Sequence, residues 1–259
     1  MDWPDAATWP PEAEAGSNAD YPWQLFRSAA YRRHNYKRMV DDDQQILKLV
    51  GEFFNAQAAG GVRRRGIDIG AGANLYPALA MLPLCATITL LDVSITNVNW
   101  LRAEVRKYGR SWNQFWNVLR QHDLYRKFSH NPRRALADRA VVRQGDIFTM
   151  PVTEQWEIGT MFFVAESISQ LGQQFADATG AFLRCLKPGS PFAAAFMAGS
   201  EGYEVEQQQF PAVPVDTEHV AAALQQHGVV DLSVYRIGIH QQLRPGYNGM
   251  ILAMGRVRG

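Results

Sequence analysis

Two hydrophobic patterns alternate along most of the chain. Short apolar runs predict seven strands, of which the first five lie in RRGIDIG, TITLLDV, RAVVRQGDIF, WEIGTMFFVAES and SPFAAAFM. Amphipathic segments such as SITNVNWLRAEVRKY separate several of these strands and predict helices. Strands that alternate with helices are typical of a mostly parallel sheet with helices on both faces. The last two strands, VVDLSVYRIGIH and GMILAMGRV, have no helix between them, so we expect an antiparallel pair.

The N-terminal part of the chain differs from this repeat. Residues 1–20 are polar and rich in Pro, Ala and Gly, which predicts a poorly ordered tail. Residues 21–60 begin with a stretch that mixes aromatic and basic side chains and continue with an amphipathic helix. In that helix Asp41–Asp43 place negative charge in the first turn, and Gly60 and Gly61 end it. We expect residues 21–259 to form a single domain.

Residues 109–139 interrupt the alternation before the third strand. They carry many aromatic side chains beside Arg and Lys, an interleaving that can bind nucleic acid. The whole chain, however, has 26 Lys and Arg against 25 Asp and Glu, a formal net charge of +1. A nucleic-acid-binding protein normally has a clear basic excess. We therefore expect a helical insertion that packs its aromatic side chains on the sheet, and no nucleic-acid partner.

Composition narrows the class of protein further. A chain that is 47% hydrophobic and 20% charged is typical of a globular enzyme. Its two cysteines, Cys85 and Cys185, are too few for a zinc site and suit a reducing compartment. No apolar run approaches the roughly 18 residues that cross a membrane, and the first residues do not resemble a signal peptide. These observations predict a cytoplasmic protein with no metal and no membrane partner.

The segment GIDIGAGANLYPAL, residues 66–79, carries the strongest chemical signal. An apolar strand turns into a helix through Gly70 and Gly72, and glycines are needed where the backbone passes close to a ligand. Asp92 ends the next strand, where a carboxylate accepts hydrogen bonds from a ribose diol, although an aspartate there also suits a helix cap. Asp146 ends the third strand, as an acceptor for an adenine amino group or as a turn residue.

The glycine spacing also bears on which nucleotide is bound. A dinucleotide fold has a third glycine three residues after the second, and this chain has Leu75 there. The Lys-Ser/Thr pair of a phosphate-binding loop is also missing. With no diphosphate to hold, we expect an adenosine that carries a less charged group. S-adenosylmethionine fits that description.

The chain resembles a class I S-adenosylmethionine-dependent methyltransferase with a Rossmann-like fold. More narrowly, it resembles the nicotinamide, phenylethanolamine and thioether/indolethylamine N-methyltransferases. The resemblance runs from about Tyr21 to Val257. It rests on AYRRHNYKRM, DIGAGANLY, LLDVSITN, QGDIF and LKPGS.

The resemblance implies a role for each site residue. Tyr31 and Tyr36 form a lid over the methionine end of the cofactor, and Gly70 and Gly72 approach its amino-acid portion. Tyr76 contacts the cofactor carboxylate. Asp92 binds the ribose hydroxyls, and Asn97 lies beside it. Asp146 and Ile147 contact the adenine.

The chain also departs from the family pattern. Asn35 stands where an aromatic lid residue is usual, and Phe196 stands where an Asp after the fifth strand anchors the substrate. Phe196 and Tyr203 therefore become the expected substrate contacts, and protonated amines are expected to be poor acceptors. Glu166, at the end of the fourth strand, is expected to face the same crevice. It is a candidate base or cation anchor, or a carboxylate at a helix N-terminus.

Together these observations predict methyl transfer to N or O of a small molecule, with specialised metabolism as a candidate setting. An oxygen nucleophile would need a base, and Tyr36 and Glu166 are the candidates. Two alternatives stay open: a cyclase that consumes S-adenosylmethionine and releases methylthioadenosine, and a catalytically silent cofactor-binding protein. An NAD-dependent oxidoreductase is disfavoured by the missing glycine. The sequence does not distinguish a monomer from a homodimer.

Overall fold

The computed structural model describes residues 15–58, 63–151, 153–238 and 243–259. Its centre is a seven-stranded sheet in the order β3-β2-β1-β4-β5-β9-β8. The strands are β1 (Arg64–Ile69), β2 (Cys85–Asp92), β3 (Ala140–Gln144), β4 (Ile158–Phe162), β5 (Pro191–Met197), β8 (Val229–Ile237) and β9 (Met250–Val257). Strand β9 runs antiparallel to both neighbours, and the other six are parallel to one another. The predicted fold class is confirmed.

Nine α-helices surround the sheet in the described part of the chain. They are α1 (Ser28–Asn35), α2 (Asp41–Ala56), α3 (Tyr76–Met81), α4 (Ile95–Lys107), α5 (Trp112–Leu119), α6 (Asp123–Phe128), α7 (Arg133–Arg139), α8 (Gly172–Arg184) and α9 (Thr217–Gln226). Helix α2 begins at the predicted acidic turn, whereas Gly60 and Gly61 lie outside the described residues. A hairpin of β6 (Tyr203–Val205) and β7 (Gln208–Phe210), which the sequence pattern does not predict, follows β5.

Two hydrophobic cores lie on the two faces of the sheet. In β5, Ala195 and Met197 belong to the core that contains α2, α3 and α5. The intervening Phe196 belongs to the core that contains α8 and α9. Because side chains alternate along a strand, this segregation fixes the face to which each β5 residue points.

The insertion at 109–139 forms the predicted helices, α5, α6 and α7. Its large aromatic side chains Trp112, Phe115, Trp116 and Tyr125 are fully buried. They belong to the same core as α2 and α3 instead of covering only the edge of the sheet. The charged residues between these aromatic side chains lie toward solvent, and the aromatic face of the insertion lies inside the molecule. This is the packing role that the near-zero net charge predicts.

The N-terminal tail differs from the expectation at residues 15–20. Asn18–Asp20 form a turn of 3-10 helix. The backbone N–H groups of Gly16 and Asn18 donate to the side-chain oxygens of Gln170 and Gln174, at 2.9 and 2.8 Å. These long-range hydrogen bonds hold a polar segment that has little hydrophobic surface of its own. Residues 1–14 of the predicted tail lie outside the described residues.

The carboxyl end of β1 holds a buried acid. Asp68 is 1% exposed, and its Oδ1 accepts a hydrogen bond of 2.7 Å from the Thr160 hydroxyl. Its Oδ2 has no partner among the described residues. Burial disfavours the charged form and raises the pKa of Asp68 to about 8. The protonated form of this carboxyl group is therefore favoured near neutral pH.

We expect Asp68→Asn to reduce the loss of stability between about pH 4 and pH 8. Because folding raises the pKa of this carboxyl group from 3.8 to about 8, the stability that it contributes is present at low pH, falls across that interval and does not change further above it. Asparagine keeps an acceptor for Thr160 and cannot ionise. Unfolding temperatures measured from about pH 5 to about pH 8 should fall less steeply in the variant. Asp138→Asn, at an exposed ion-paired site, is the control, and equal slopes in parent and Asp68→Asn would contradict the prediction.

Candidate functional site

A cleft of about 830 Å³ opens at the carboxyl ends of the parallel strands. Its walls come from the turns after β1, β2, β3 and β4 and from the N-terminal segment around α1. β1 lies between β2 and β4, so the order of the strands reverses here along the chain. Ligands of open α/β sheets bind at such a reversal.

The glycine-rich turn after β1 needs both of its glycines. Gly70 and Gly72 have φ angles of +60° and +53°, in the left-handed region. A Cβ on Gly70 would lie 2.5 Å from a methyl carbon of Val164 at the end of β4. The turn therefore presents backbone to the cleft, as expected from the sequence.

Asp92 is the polar centre of the cleft. Its Oδ1 accepts from the Ser94 backbone N–H and the Asn97 amide, at 2.9 and 3.1 Å, and its Oδ2 accepts from the Gly72 N–H at 2.8 Å. Burial raises the pKa of this carboxyl group, and the three hydrogen bonds oppose the rise. A carboxylate has about four lone-pair sites, so one site on Oδ2 remains for a ligand hydroxyl. The same aspartate thus serves both interpretations, ligand acceptor and turn-stabilising residue.

Asn97 joins this carboxylate to the N-terminal segment. Its amide nitrogen donates to Asp92, and its Oδ1 accepts a 2.7 Å hydrogen bond from the Ser28 hydroxyl at the start of α1. Both polar ends of the Asn97 side chain are therefore used within the protein. Asn97 lines the cleft, and it orients Asp92 while it fixes the beginning of α1.

Asp146 and Ile147 lie together on the wall after β3. Asp146 Oδ1 accepts from the Phe148 N–H at 2.9 Å. The carboxylate thus caps a short 3-10 helix at Ile147–Thr149 with one oxygen. Ile147 is buried and adds an apolar surface beside the carboxylate. The two residues offer an acidic edge next to a hydrophobic face.

Three tyrosines line the part of the cleft that the N-terminal segment covers. The ring of Tyr31 lies 6.0 Å from that of Tyr36 and 6.2 Å from that of Tyr203, centroid to centroid, in edge contacts. Burial raises the pKa of all three phenols, and those of Tyr36 and Tyr203 lie well above the ordinary value. The hydroxyls stay protonated at neutral pH, so Tyr36 is a poor general base.

Tyr76 is not where the sequence places it. Its side chain is fully buried and does not line the cleft. The hydroxyl donates to Asp43 Oδ1 of α2 at 3.0 Å, and the ring stacks on Phe115 with centroids 5.3 Å apart. The helical position of Tyr76 at the start of α3 directs the ring toward α2 and α5. A direct contact with a cofactor carboxylate therefore does not follow from this geometry.

Glu166 also lies behind the wall instead of on it. The residue is fully buried, and its Oε1 accepts from the Met197 N–H and the Ser167 hydroxyl, both at 3.0 Å. Its Oε2 has no partner among the described residues. Burial raises the pKa of this carboxyl group, and the positive charge of Arg244 opposes the rise. In this arrangement Glu166 fixes the end of β5 and does not face the crevice.

Phe196 is wrong as a substrate contact. It is fully buried in β5, on the face of the sheet that packs on α8, with its ring 5.8 Å from that of Phe175. The cleft lies toward the ends of the strands, and Phe196 does not line it. A Phe196→Asp substitution would therefore disrupt the core, and activity measurements on this variant would not test the chemistry of the site. Tyr203, the other expected contact, does line the cleft.

Two polar residues of the site were missed from the sequence. Asn74 lines the cleft, and its Nδ2 is a buried donor without a partner among the described residues. Its place inside GAGANLY was an available signal. Arg244 reaches the hydroxyls of Ser167 and Ser200 from the segment before β9. Nothing local in the sequence connects it with the cleft.

The strand order, the glycine turn after β1 and the carboxylate after β2 are those of a Rossmann-like nucleotide-binding fold. The chain belongs to the NNMT/PNMT/TEMT family, whose model matches residues 17–256. No curated protein matches the sequence.

Solved structures share the fold at low sequence identity. A methyltransferase from Clostridium acetobutylicum superposes with a TM-score of 0.55 at 10% identity, over 89% of this chain and 98% of that one. Magnesium protoporphyrin IX methyltransferase from Synechocystis, with bound S-adenosylmethionine, gives 0.54 at 12% identity, over 89% and 90%. The methyltransferase SibL gives 0.51 at 14% identity over 82% of this chain, which spans only 55% of SibL.

The described residues bring together no cluster of three metal-binding side chains. None of the helices in the described part of the chain has the length and apolar character needed to span a membrane.

We expect Tyr76→Phe to lower stability and to leave ligand affinity unchanged. The change removes the donor to buried Asp43, which should cost about 1–3 kcal/mol. Each kcal/mol corresponds to a fall of roughly 2–4 °C in the unfolding temperature of a chain of this size. Calorimetric titration with S-adenosylhomocysteine measures the affinity.

Tyr125→Phe is the matched control, because that buried hydroxyl donates to the Ala80 carbonyl in the core. A loss of affinity of about tenfold in Tyr76→Phe alone would mean that its hydroxyl does reach the ligand.

Proposed function

We propose that the protein transfers a methyl group from S-adenosylmethionine to a nitrogen or oxygen atom of a small molecule. One observation carries the proposal: the cleft contains a hydrogen-bond acceptor and a hydrogen-bond donor that the described residues leave available. Asp92 Oδ2 keeps a lone pair for a hydroxyl, and Asn74 Nδ2 is a buried donor that needs an acceptor. An adenosine that carries a carboxylate supplies both groups.

The residues that would hold the nucleoside lie on the walls after β2 and β3. Asp92 accepts a ribose hydroxyl, and Asn97 keeps the carboxylate in place through the 3.1 Å hydrogen bond. Asp146 has one oxygen that does not cap the 3-10 helix, which suits an adenine amino group, and Ile147 covers the base. These assignments agree with the chemistry that each side chain offers.

The amino-acid end fits beside the glycine turn. Gly70 and Gly72 let the backbone approach there, and Asn74 Nδ2 donates to the carboxylate. Tyr31 and Tyr36 present neutral aromatic rings at this end of the cleft. When bound, S-adenosylmethionine supplies an electrophilic methyl group on a cationic sulfur. An aromatic ring attracts such a cation by about 0.5–2 kcal/mol.

The contribution of the protein is alignment and exclusion of water. Holding two reactants in line can lower a barrier by roughly 7–11 kcal/mol, so a neutral nitrogen nucleophile needs no base. Tyr36 is disfavoured as a base because its pKa is raised. Glu166 lies behind the wall, with Oε1 engaged by Met197 and Ser167. The geometry therefore favours an acceptor that is already nucleophilic when it binds.

The products distinguish this function from its rivals. Purified protein, S-adenosylmethionine and a panel of small acceptors should yield S-adenosylhomocysteine and a methylated acceptor. Asp92→Ala should weaken S-adenosylhomocysteine binding by about 1.5–3 kcal/mol, since a hydrogen bond to a charged group is lost. Asp177→Ala, at an exposed site on α8, is the control.

Three results would contradict the proposal. Release of methylthioadenosine would indicate the cyclase reaction. Cofactor binding with neither product would indicate a silent binding protein, and tighter binding of NAD would exclude the nucleotide assignment.

We further propose that residues 21–40 act as a lid. Polar contacts tie the segment to two parts of the molecule. On the cleft side, Thr96 donates to the Phe26 carbonyl at 2.9 Å, and Ser28 donates to Asn97. On the α5 side, the Met39 N–H donates to Gln114 at 2.9 Å. Amide hydrogen exchange over residues 21–40 should slow when S-adenosylhomocysteine binds, because ligand contacts to Tyr31 and Tyr36 add to these ties. Helix α8 should exchange equally in both states. Equal protection of 21–40 would indicate a static strap.

A further inference from the structure

Arg244 lies at the tyrosine end of the cleft. Its guanidinium carbon is 4.8 Å from the centroid of the Tyr203 ring, and its Nη1 donates to the Ser167 hydroxyl at 3.3 Å. Tyr203 and Ser167 both line the cleft, and Arg244 stands directly behind them without lining it. Burial raises the pKa of Tyr31 and of Tyr36, and the positive charge of Arg244 opposes that rise. Arg244 therefore stands next to the rings that the proposed function assigns to the methyl end of the cofactor.

The charge of Arg244 has no close carboxylate in the described part of the chain. The ion pairs between described residues do not include it. Its acceptors there are the hydroxyls of Ser167 and Ser200, at 3.3 and 3.4 Å, both longer than an ordinary hydrogen bond. The carboxyl group of Glu166 is near enough for the charge of Arg244 to oppose the rise in its pKa, but the two residues form no ion pair. A guanidinium has five N–H donors, and the described residues accept hydrogen bonds only from Nη1.

The surroundings of Arg244 define what that ligand looks like. Tyr203 stacks on Phe210 with centroids 5.4 Å apart, which makes a flat, rigid platform under the guanidinium. Tyr31 meets the same ring at its edge. Trp23, Tyr31 and Tyr36 also line the cleft, and a planar ring packs well against such aromatic side chains. A planar carboxylate matches the donor fork of an arginine better than any other common small-molecule group except phosphate.

We propose that the methyl acceptor is an aromatic or heteroaromatic compound with a carboxylate, and that Arg244 binds this carboxylate with help from the Ser167 hydroxyl. The inference rests on the proposed function for the identity of the methyl donor. The family pattern implies a negatively charged anchor, an Asp that binds an amine. The anchor proposed here is positively charged and binds an acid. Binding of an acid compensates the charge of Arg244, whereas a protonated amine would add a second cation beside it.

The test compares an acid with its neutral amide. Benzoate and benzamide have the same ring, and each is titrated calorimetrically into the full chain, with and without saturating S-adenosylhomocysteine. Benzoate should bind about tenfold more tightly than benzamide or better, the range for charge-assisted hydrogen bonds. Arg244→Gln should abolish that preference, and Arg244→Lys should keep part of it because the charge remains without the fork.

Arg236→Gln is the matched control. Arg236 is exposed on β8 and donates to Asn248, in the same segment before β9. Unlike Arg244, it has no hydrogen bond to a residue that lines the cleft among the described contacts. It should keep the preference for benzoate. Unfolding temperatures of the variants show whether each is folded. If Arg244→Gln does not fold, the preference for benzoate over benzamide is measured in Arg244→Lys.

The transfer reaction gives a second reading. The parent protein should form S-adenosylhomocysteine faster with nicotinate as the acceptor than with nicotinamide. The ratio of these two rates should fall in Arg244→Gln. Benzoate that binds no better than benzamide, or a preference that survives in Arg244→Gln, overturns the inference. Absence of S-adenosylhomocysteine binding would instead overturn the proposed function. The two failures can be told apart, because the benzoate titration without cofactor measures binding at Arg244 independently.

Discussion

The hydrogen bonds to the buried carboxylate of Asp92 hold the site together. Three donors converge on it from the glycine turn, the β2–α4 turn and α4 itself. A buried carboxylate is costly unless it is satisfied, so each of these backbone segments is fixed by the need to keep its donor in place. Through Asn97 the constraint extends to Ser28, and α1 is thereby placed over the cleft.

A second set of buried acids supports the same region from below. Asp43 accepts from Tyr76, and Asp42 accepts from the Tyr247 hydroxyl at 2.7 Å. These bonds connect the start of α2 with α3 and with the segment before β9. The tyrosine wall and Arg244 thus rest on side chains from three distant parts of the sequence. The cleft is rigid at the nucleoside end and is assembled from long-range contacts at the other end.

The difference between these two ends explains what the sequence could reveal. The glycine turn, Asp92 and Asp146 are each followed or preceded closely by a strand, so local pattern alone predicts their position at the carboxyl edge of the sheet. The face to which a residue points is harder to predict in β5, where PFAAAFM is apolar throughout and shows no alternation. The resemblance puts the substrate anchor after the fifth strand, at Phe196, whereas β5 continues to Met197 and buries Phe196.

Tyr76, Glu166 and Arg244 needed information that no local pattern holds. Tyr76 turns away from the cleft because α2 offers a buried acceptor for its hydroxyl, and Asp43 is far away in sequence. Glu166 is withdrawn by the Met197 N–H at the end of β5. Arg244 reaches Ser167 across a sequence separation of 77 residues. Contacts of this kind follow from tertiary packing and not from spacing.

The position of Trp23 has an optical consequence. The indole lines the cleft and stacks on Phe210, with ring centroids 5.2 Å apart, and Phe210 in turn stacks on Tyr203. Trp112, Trp116 and Trp156 are buried in the cores, away from solvent and from the cleft. Indole emission depends on the polarity around the ring. Intrinsic fluorescence can therefore follow occupancy of the cleft through Trp23 without an added label. The part of the signal that a Trp23→Phe variant loses separates it from the emission of the other six tryptophans.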